Sequence, residues 1–172
     1  RASIAAVLTA KIGPGERCLA LRAAQRIVEL TGDKWTCAPW RSAECRKCAR
    51  GLEPEKFAVL LVTSAAVEVR VILCDKTSEN VQVFAASIAL LVAAAGFLAA
   101  DDEDEEEDGG VDGDECSDSW WWQLLPAESL LYIRGAIVDA LGDVLDFLEM
   151  CSDDRKEGRK AEGPRELFSM AA

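Results

Sequence analysis

Residues 54–74 constrain the fold more than any other part of the chain. The segment opens with Pro54 and is apolar on almost every side, and only Glu68 and Arg70 interrupt its second half. A helix without a polar side cannot lie on a protein surface in water, so other helices or lipid must surround it. The sequence therefore predicts a central, buried helix.

The composition favours closely packed helices and excludes several classes of function. Half of the 172 residues are hydrophobic, aromatic residues make up 6%, and Ala is frequent. This predicts one all-α domain over residues 1–172. The net charge of −12 argues against nucleic-acid binding, which requires clustered Lys and Arg. The chain has no His, so the commonest general base and metal ligand are missing. We therefore expect no enzymatic activity.

Apolar periodicity and breaker residues predict five or six helices. The five that the sequence delimits are residues 2–12, 16–31, 54–74, 81–100 and 126–150. A further helix is expected to begin at Pro164. The Cys- and Trp-containing stretch 34–51 has no clean period and is expected to be a loop. No fixed repeat length is visible, so periodicity alone leaves a helical bundle and an α-solenoid segment both open.

Two of these helices show which faces could enter a core. The second has two apolar sets at helical spacing, namely Leu19, Ala23, Ile27 and Leu30 beside Leu21, Ala24 and Val28. The last has an apolar rhythm of Leu130, Ile133, Ile137, Leu141, Val144 and Leu148, and a polar stripe of Asp139, Asp143 and Asp146. Cys18, Cys74 and Cys151 lie within or at the ends of helices and are expected to be small core residues.

The two charges in the central helix are not expected to pair with each other, and one of them is expected to meet a partner on a neighbouring helix. Glu68 and Arg70 are two positions apart, so their side chains diverge on a helix and cannot simply pair. Asp139 is a candidate partner for Arg70. A structural ion pair or a side chain that extends to solvent is favoured over contact with another protein.

Residues 56–70, KFAVLLVTSAAVEVR, resemble the central segment of neurochondrin-family proteins. That family has a similar K-F-x-x-L-L-V-x-x-A-x-V-E-V-R run, followed by an apolar helix. Residues 19–35, with Gly32 and Trp35, are similar to the element that precedes it. Residues 138–148 and 163–172 resemble later helices more weakly. The acidic run and the cysteine loop depart from the family and look like insertions.

The resemblance implies an armadillo-like α-solenoid that is intracellular and non-catalytic. Animal members of the family are associated with neurite outgrowth and with restraint of calmodulin-dependent kinase II signalling. A role in signalling regulation, and protein partners of unknown identity, are therefore expectations from the family. The resemblance also implies that the chain is a fragment of a longer protein.

Three cysteines raise the possibility of a zinc site. Cys45 and Cys48 form a C-x-x-C pair, and Cys37 precedes them. A structural zinc needs four ligands, and no His is available to complete this set. Free thiols in a loop are the favoured interpretation, and no cofactor or metal is expected. The odd number of cysteines also favours a reducing, cytoplasmic compartment.

The acidic stretch 101–119 contains a near-match to a calcium-binding loop. The matching positions are Asp104, Glu106, Asp108, Gly109, Val111, Asp112 and Glu115. A run this acidic meets such a template by chance, so a disordered, solvated insertion is favoured over a specific calcium site. Trp120, Trp121 and Trp122 follow it, and they are expected to cover the end of a helix pair more readily than to anchor a partner.

Residues 81–100 have the length of a membrane span, but their many Ala residues make them weakly hydrophobic for lipid. No basic cluster marks a cytoplasmic flank. A buried solenoid helix is favoured. The sequence thus predicts a cytoplasmic, non-catalytic interaction scaffold of the armadillo-like type. A membrane-associated protein and a calcium-binding acidic-loop protein remain the alternatives.

Overall fold

The computed structural model describes residues 1–10, 13–32, 35, 52–75, 81–99 and 125–156. These residues form five α-helices and no strand. They are α1 (Ala2–Thr9), α2 (Pro14–Thr31), α3 (Pro54–Asp75), α4 (Val81–Ala99) and α5 (Ala127–Lys156). The all-α prediction is confirmed. The predicted cysteine loop, the acidic insertion and the helix expected from Pro164 lie outside the described residues.

Local sequence signals set the ends of the first two long helices. Pro14 stands in the first turn of α2, where its missing N–H costs no hydrogen bond. Gly32 ends this helix with a φ of 67°, and its N–H donates to the Val28 carbonyl at 2.8 Å. That left-handed conformation favours glycine over residues with a Cβ. In α3, Glu55 lies in the first turn, near the positive end of the helix dipole.

Helix α3 is the centre of the fold. It packs against α5, α4 and α1, and α2 packs against α4 and α1. Phe57, Val69 and Ile72 are at most 1% exposed. The prediction of a central helix is therefore confirmed. Its coverage is incomplete, however, because Val67 and Val71 remain about half exposed, at 54% and 48%. Among the described residues, no helix covers that side.

Helix α2 buries only one of its two apolar sets. Leu21, Ala24 and Val28 enter the core, whereas Leu19 and Leu30 are 65% and 85% exposed. Both sets satisfy helical spacing, so periodicity could not choose between them. The choice is made by the directions in which α1 and α4 lie.

Helix α5 confirms the predicted core positions in its first half and departs from them near its end. Ile133 and Ile137 are buried, but Phe147 is the buried residue of the last turns, and Leu148 is 38% exposed. The expected inward position of Leu148 was wrong by one residue. Leu130, Leu141 and Val144 are half-buried against the core. A predicted face drifts around a long helix, because 3.6 residues per turn do not fit an unbroken 3-4 rhythm.

The three described cysteines differ in their surroundings. Cys18 and Cys151 are half-buried and pack against the core, whereas Cys74 is exposed. The expectation of a core position is therefore wrong for Cys74. It occupies the last turn of α3, on the side of that helix that lacks a neighbour.

Candidate interaction surface

Two ion pairs join the charged residues of α3 to different helices. Glu68 is 7% exposed, and its Oε1 accepts a hydrogen bond from Arg17 Nε of α2 at 3.0 Å. Glu68 and Arg70 do not pair with each other, as the sequence predicted, and both have partners on neighbouring helices, where the sequence predicted a partner for one. This ion pair links α2 to α3. The positive charge of Arg17 compensates the buried carboxylate of Glu68, as a buried acid requires.

Arg70 connects α3 to α5. Its Nε donates to Asp143 Oδ2 at 2.5 Å, and its Nη2 lies 3.7 Å from Asp139 Oδ2. The predicted contact with Asp139 is confirmed, and Asp143 is the closer partner. The hydrogen bond to Asp143 is the main reason that the pKa of Arg70 is raised above its ordinary value. The side chains of Arg70, Asp139 and Asp143 are all well exposed to solvent. The two ion pairs therefore link α3 to α5 but add little to stability.

The Cys18 thiol lies in the electrostatic field of the Glu68 and Arg17 pair. Burial raises the pKa of Cys18, and the negative charge of Glu68 raises it further. Arg17 and Arg22 act in the opposite direction and do not reverse the shift. A thiol with a raised pKa is protonated at neutral pH and is a poor nucleophile. The ion pair of Arg17 and Glu68 therefore links two helices and does not activate Cys18 as a nucleophile.

The most unusual surface lies on α5. Leu131, Val138 and Leu145 are 68%, 60% and 64% exposed. They recur every seven residues, so they form one continuous line along the helix. We call this line the α5 stripe. Single exposed apolar side chains are ordinary, but these two leucines and one valine lie on the same side of one helix, about 10.5 Å apart along its axis.

A groove runs beside the first part of the α5 stripe. It has a volume of about 510 Å³ and lies between the C-terminal part of α4 and the N-terminal half of α5. Leu98 and Ala99 form one wall, and Leu131 and Val138 form part of the other, with Arg134 between them. The groove exists because α4 and α5 both pack on α3 but contact each other only briefly.

The residues considered and not favoured as metal ligands, and the tryptophan cluster, lie outside the described residues. This applies to Cys37, Cys45 and Cys48, to Asp104, Asp108, Asp112 and Glu115, and to Trp120, Trp121 and Trp122. Within the described ranges, no group of three His, Cys, Asp or Glu side chains is placed to hold a metal ion.

The sequence reasoning missed three features of this surface. It assigned no partner to Glu68, because nothing in the spacing relates Arg17 to a residue 51 positions away. It chose Asp139 over Asp143 for Arg70. It also missed the α5 stripe, although the seven-residue recurrence of Leu131 and Leu145 with Val138 was a visible signal.

Among the described residues, two helices are long and apolar enough to cross a membrane by length and composition. Glu55–Cys74 in α3 has a mean hydropathy of 2.1, and Val81–Ala99 in α4 has 2.2. Of the two, the α3 segment is the more buried, at 56% against 39%. The core helix of a water-soluble protein also meets these criteria. Packing against α1, α2 and α5 provides much of the cover that both helices need.

Comparison with known proteins identifies the family of the chain. The family model described as Neurochondrin matches residues 1–165. No curated protein and no solved structure matches the chain. The match spans all five described helices, and it includes the α3 segment whose sequence resembles the family. The chain belongs to the neurochondrin family.

Proposed function

We propose that the chain is a non-catalytic protein-interaction scaffold of the cytoplasm. The observation that carries this proposal is the exposure of large apolar side chains on helices whose opposite faces form a well-packed core. Leu19 and Leu30 on α2 and the α5 stripe face outward on two separate helices. Large apolar side chains that stay exposed on one side of a folded helix are candidate contacts for other proteins.

Three observations support a non-catalytic role. The sequence has no His. The buried carboxylate of Glu68 is engaged by Arg17, so it is not available as a general base. The pKa of Cys18 is raised, which opposes its use as a nucleophile.

The free thiols of Cys18, Cys74 and Cys151 also agree with a reducing compartment. A role in signalling regulation follows only from the family's association with neuronal signalling.

Affinity capture tests the scaffold proposal. The bait is the intact chain, and the matched control bait carries Phe57→Asp, which places a charge in the core and unfolds the chain. Proteins that bind the folded bait and not the control are partners of the folded surface. If both baits recover the same chaperones and nothing else, the scaffold proposal is wrong.

Membrane association is the second candidate function. The observation in its favour is the hydropathy of α4 together with its low burial. Extraction of membranes with alkaline carbonate separates the two candidates. A scaffold is released into the supernatant, whereas a chain that spans the membrane stays in the pellet.

Calcium binding by the acidic stretch is tested by titration while tryptophan fluorescence is recorded. We expect no saturable change at millimolar calcium, because a solvated acidic run attracts cations without a defined site. A saturable change that Glu115→Gln abolishes would instead establish a specific site, since the twelfth position supplies the bidentate ligand of such loops.

A further inference from the structure

The outer face of α5 is arranged in three parallel rows. Residues four positions apart are neighbours on a helix surface, so each row adjoins the next. The first row is the α5 stripe. The second row is Gly135, Gly142 and Glu149, and the third is Asp139, Asp146 and Asp153. Around the helix, the surface therefore changes from apolar side chains, to a row that begins with two glycines, to acidic side chains.

Packing among the described residues gives no reason for the two glycines. Both lie in the interior of α5, where glycine weakens a helix relative to alanine. A Cβ built on Gly135 or Gly142 would meet no atom of the described structure within 4 Å. Their absent side chains leave room beside Val138 for the backbone of another element to approach closely. A partner would explain this cost, and the packing of the described residues does not.

The dimensions of the surface suit a helix. From Leu131 to Leu145 the stripe extends about 21 Å, at 1.5 Å per residue. A small molecule could fill the 510 Å³ groove but would leave Leu145 uncovered. A seven-residue recurrence of apolar side chains is the pattern that a second helix matches along its whole length.

The charges beside the stripe specify the partner further. Among the described side chains of α5, six are acidic and one, Arg134, is basic. The acidic residues are Glu128, Asp139, Asp143, Asp146, Glu149 and Asp153. Arg70 engages two of these acids. Asp146 and Glu149 form no ion pair with any described residue. Such an edge attracts basic side chains and repels acidic ones.

We propose that the α5 stripe, with its glycine and acidic rows, docks an amphipathic helix of a partner protein. The apolar positions of that helix pack on the stripe, its backbone passes over Gly135 and Gly142, and its Lys or Arg residues face Asp146 and Glu149. This inference rests on the proposed scaffold function and specifies the chemistry of one partner.

Two synthetic peptides of about 21 residues, or three heptads, test the proposal by fluorescence anisotropy. Both carry Leu and Ala at the positions that face the stripe. One carries Lys at the flanking positions and the other carries Glu. The Lys peptide should bind saturably to the full chain, and the Glu peptide should bind at least about tenfold more weakly. Added salt should weaken binding of the Lys peptide.

Substitution of the glycines separates docking from folding. Gly135→Gln and Gly142→Gln each place a long side chain in the glycine row. Gln also has a higher helix propensity than Gly, so the fold should be kept. Each should reduce affinity for the Lys peptide at least about tenfold. Ala85→Gln introduces the same side chain at an exposed position in the first half of α4, away from the groove, and is the matched control, with unchanged affinity expected.

Five results would overturn the proposal. Equal binding of the two peptides would reject the charge argument, and full binding by both glycine variants would reject the site. Self-association that the glycine variants abolish in sedimentation velocity would make a second copy the occupant. A rise in peptide affinity with Phe168→Asp would make the chain's own C-terminal residues the occupant. Recovery of the same cellular partners with and without Gly142→Gln would leave the scaffold function standing and remove only this docking site.

Discussion

The ion pair between Arg17 and Glu68 gives the most quantitative prediction about this fold. Replacing Arg17 by Met removes the positive charge and keeps most of the apolar stem, so packing between α2 and α3 changes little. The carboxylate of Glu68, which is 7% exposed, then loses its hydrogen-bond donor at 3.0 Å. Glu68 must then rearrange toward water or remain charged in a partly dry site.

The magnitude follows from the exposure of the two partners. Breaking a fully buried ion pair by removal of one partner costs about 3–5 kcal/mol. Solvent reaches 39% of the Arg17 side chain, so screening reduces the expected loss for Arg17→Met to about 2–3 kcal/mol. The double variant Arg17→Met with Glu68→Met removes both charges, and its stability should return to within about 1 kcal/mol of the original chain.

Urea unfolding followed by circular dichroism measures these differences. With a slope of about 2 kcal/mol per M, Arg17→Met should lower the midpoint by about 1–1.5 M, and the double variant should recover most of that loss. Arg70→Met is the matched control, because it breaks an interhelical pair with Asp143 whose partners are both well exposed. Its effect should be much smaller and should decrease further with added salt.

The result that refutes this reasoning is a midpoint for Arg17→Met within about 0.3 M urea of the original chain. It would mean that Glu68 reaches water without Arg17. An equally large loss for Arg70→Met would also contradict the argument, because burial would then not decide the cost of removing an arginine.

Three further predictions concern the core, the thiols and α5. Phe57→Ala should lower the free energy of unfolding by about 3–5 kcal/mol in urea titrations, because a fully buried ring is removed. Cys18 should be alkylated more slowly than the exposed Cys74 at pH 8, as measured by mass spectrometry, because its pKa is raised. Glu68→Gln removes the second cause of that shift, so it should lower the pKa of Cys18 and speed its alkylation; an unchanged rate would contradict this. Gly135→Ala should raise the free energy of unfolding by about 0.5–1 kcal/mol, and a loss would show that the small residue is needed within the chain.

Much of the fold could be predicted from local patterns. Gly32 ends α2 and Pro54 marks the start of α3, both by backbone conformation, whereas α2 begins at Pro14, two residues before the predicted start. These signals act within a few residues, so a single sequence is enough to interpret them. The divergence of Glu68 and Arg70 is also a local property of a helix, and it held in the structure.

Part of the candidate site could not be predicted, because it depends on which helices become neighbours. Leu19 and Leu21 both fit an apolar face of α2, and only the positions of α1 and α4 leave the first in solvent. The exposure of Leu145 and Val138 likewise follows from the placement of α3 and α4 around α5. A helical pattern states that an apolar face exists, but it does not state whether another helix covers it.

The sequence by itself determined that the chain is all-α, that residues 54–74 form its central helix, and that residues 56–70 resemble the neurochondrin family. The tertiary structure alone decided that Arg17 compensates Glu68 and that the α5 stripe stays uncovered beside a groove. The physical reason is the range of the interactions involved. Helix formation depends on residues a few positions apart, whereas burial and charge pairing depend on residues brought together only by the packing of whole helices.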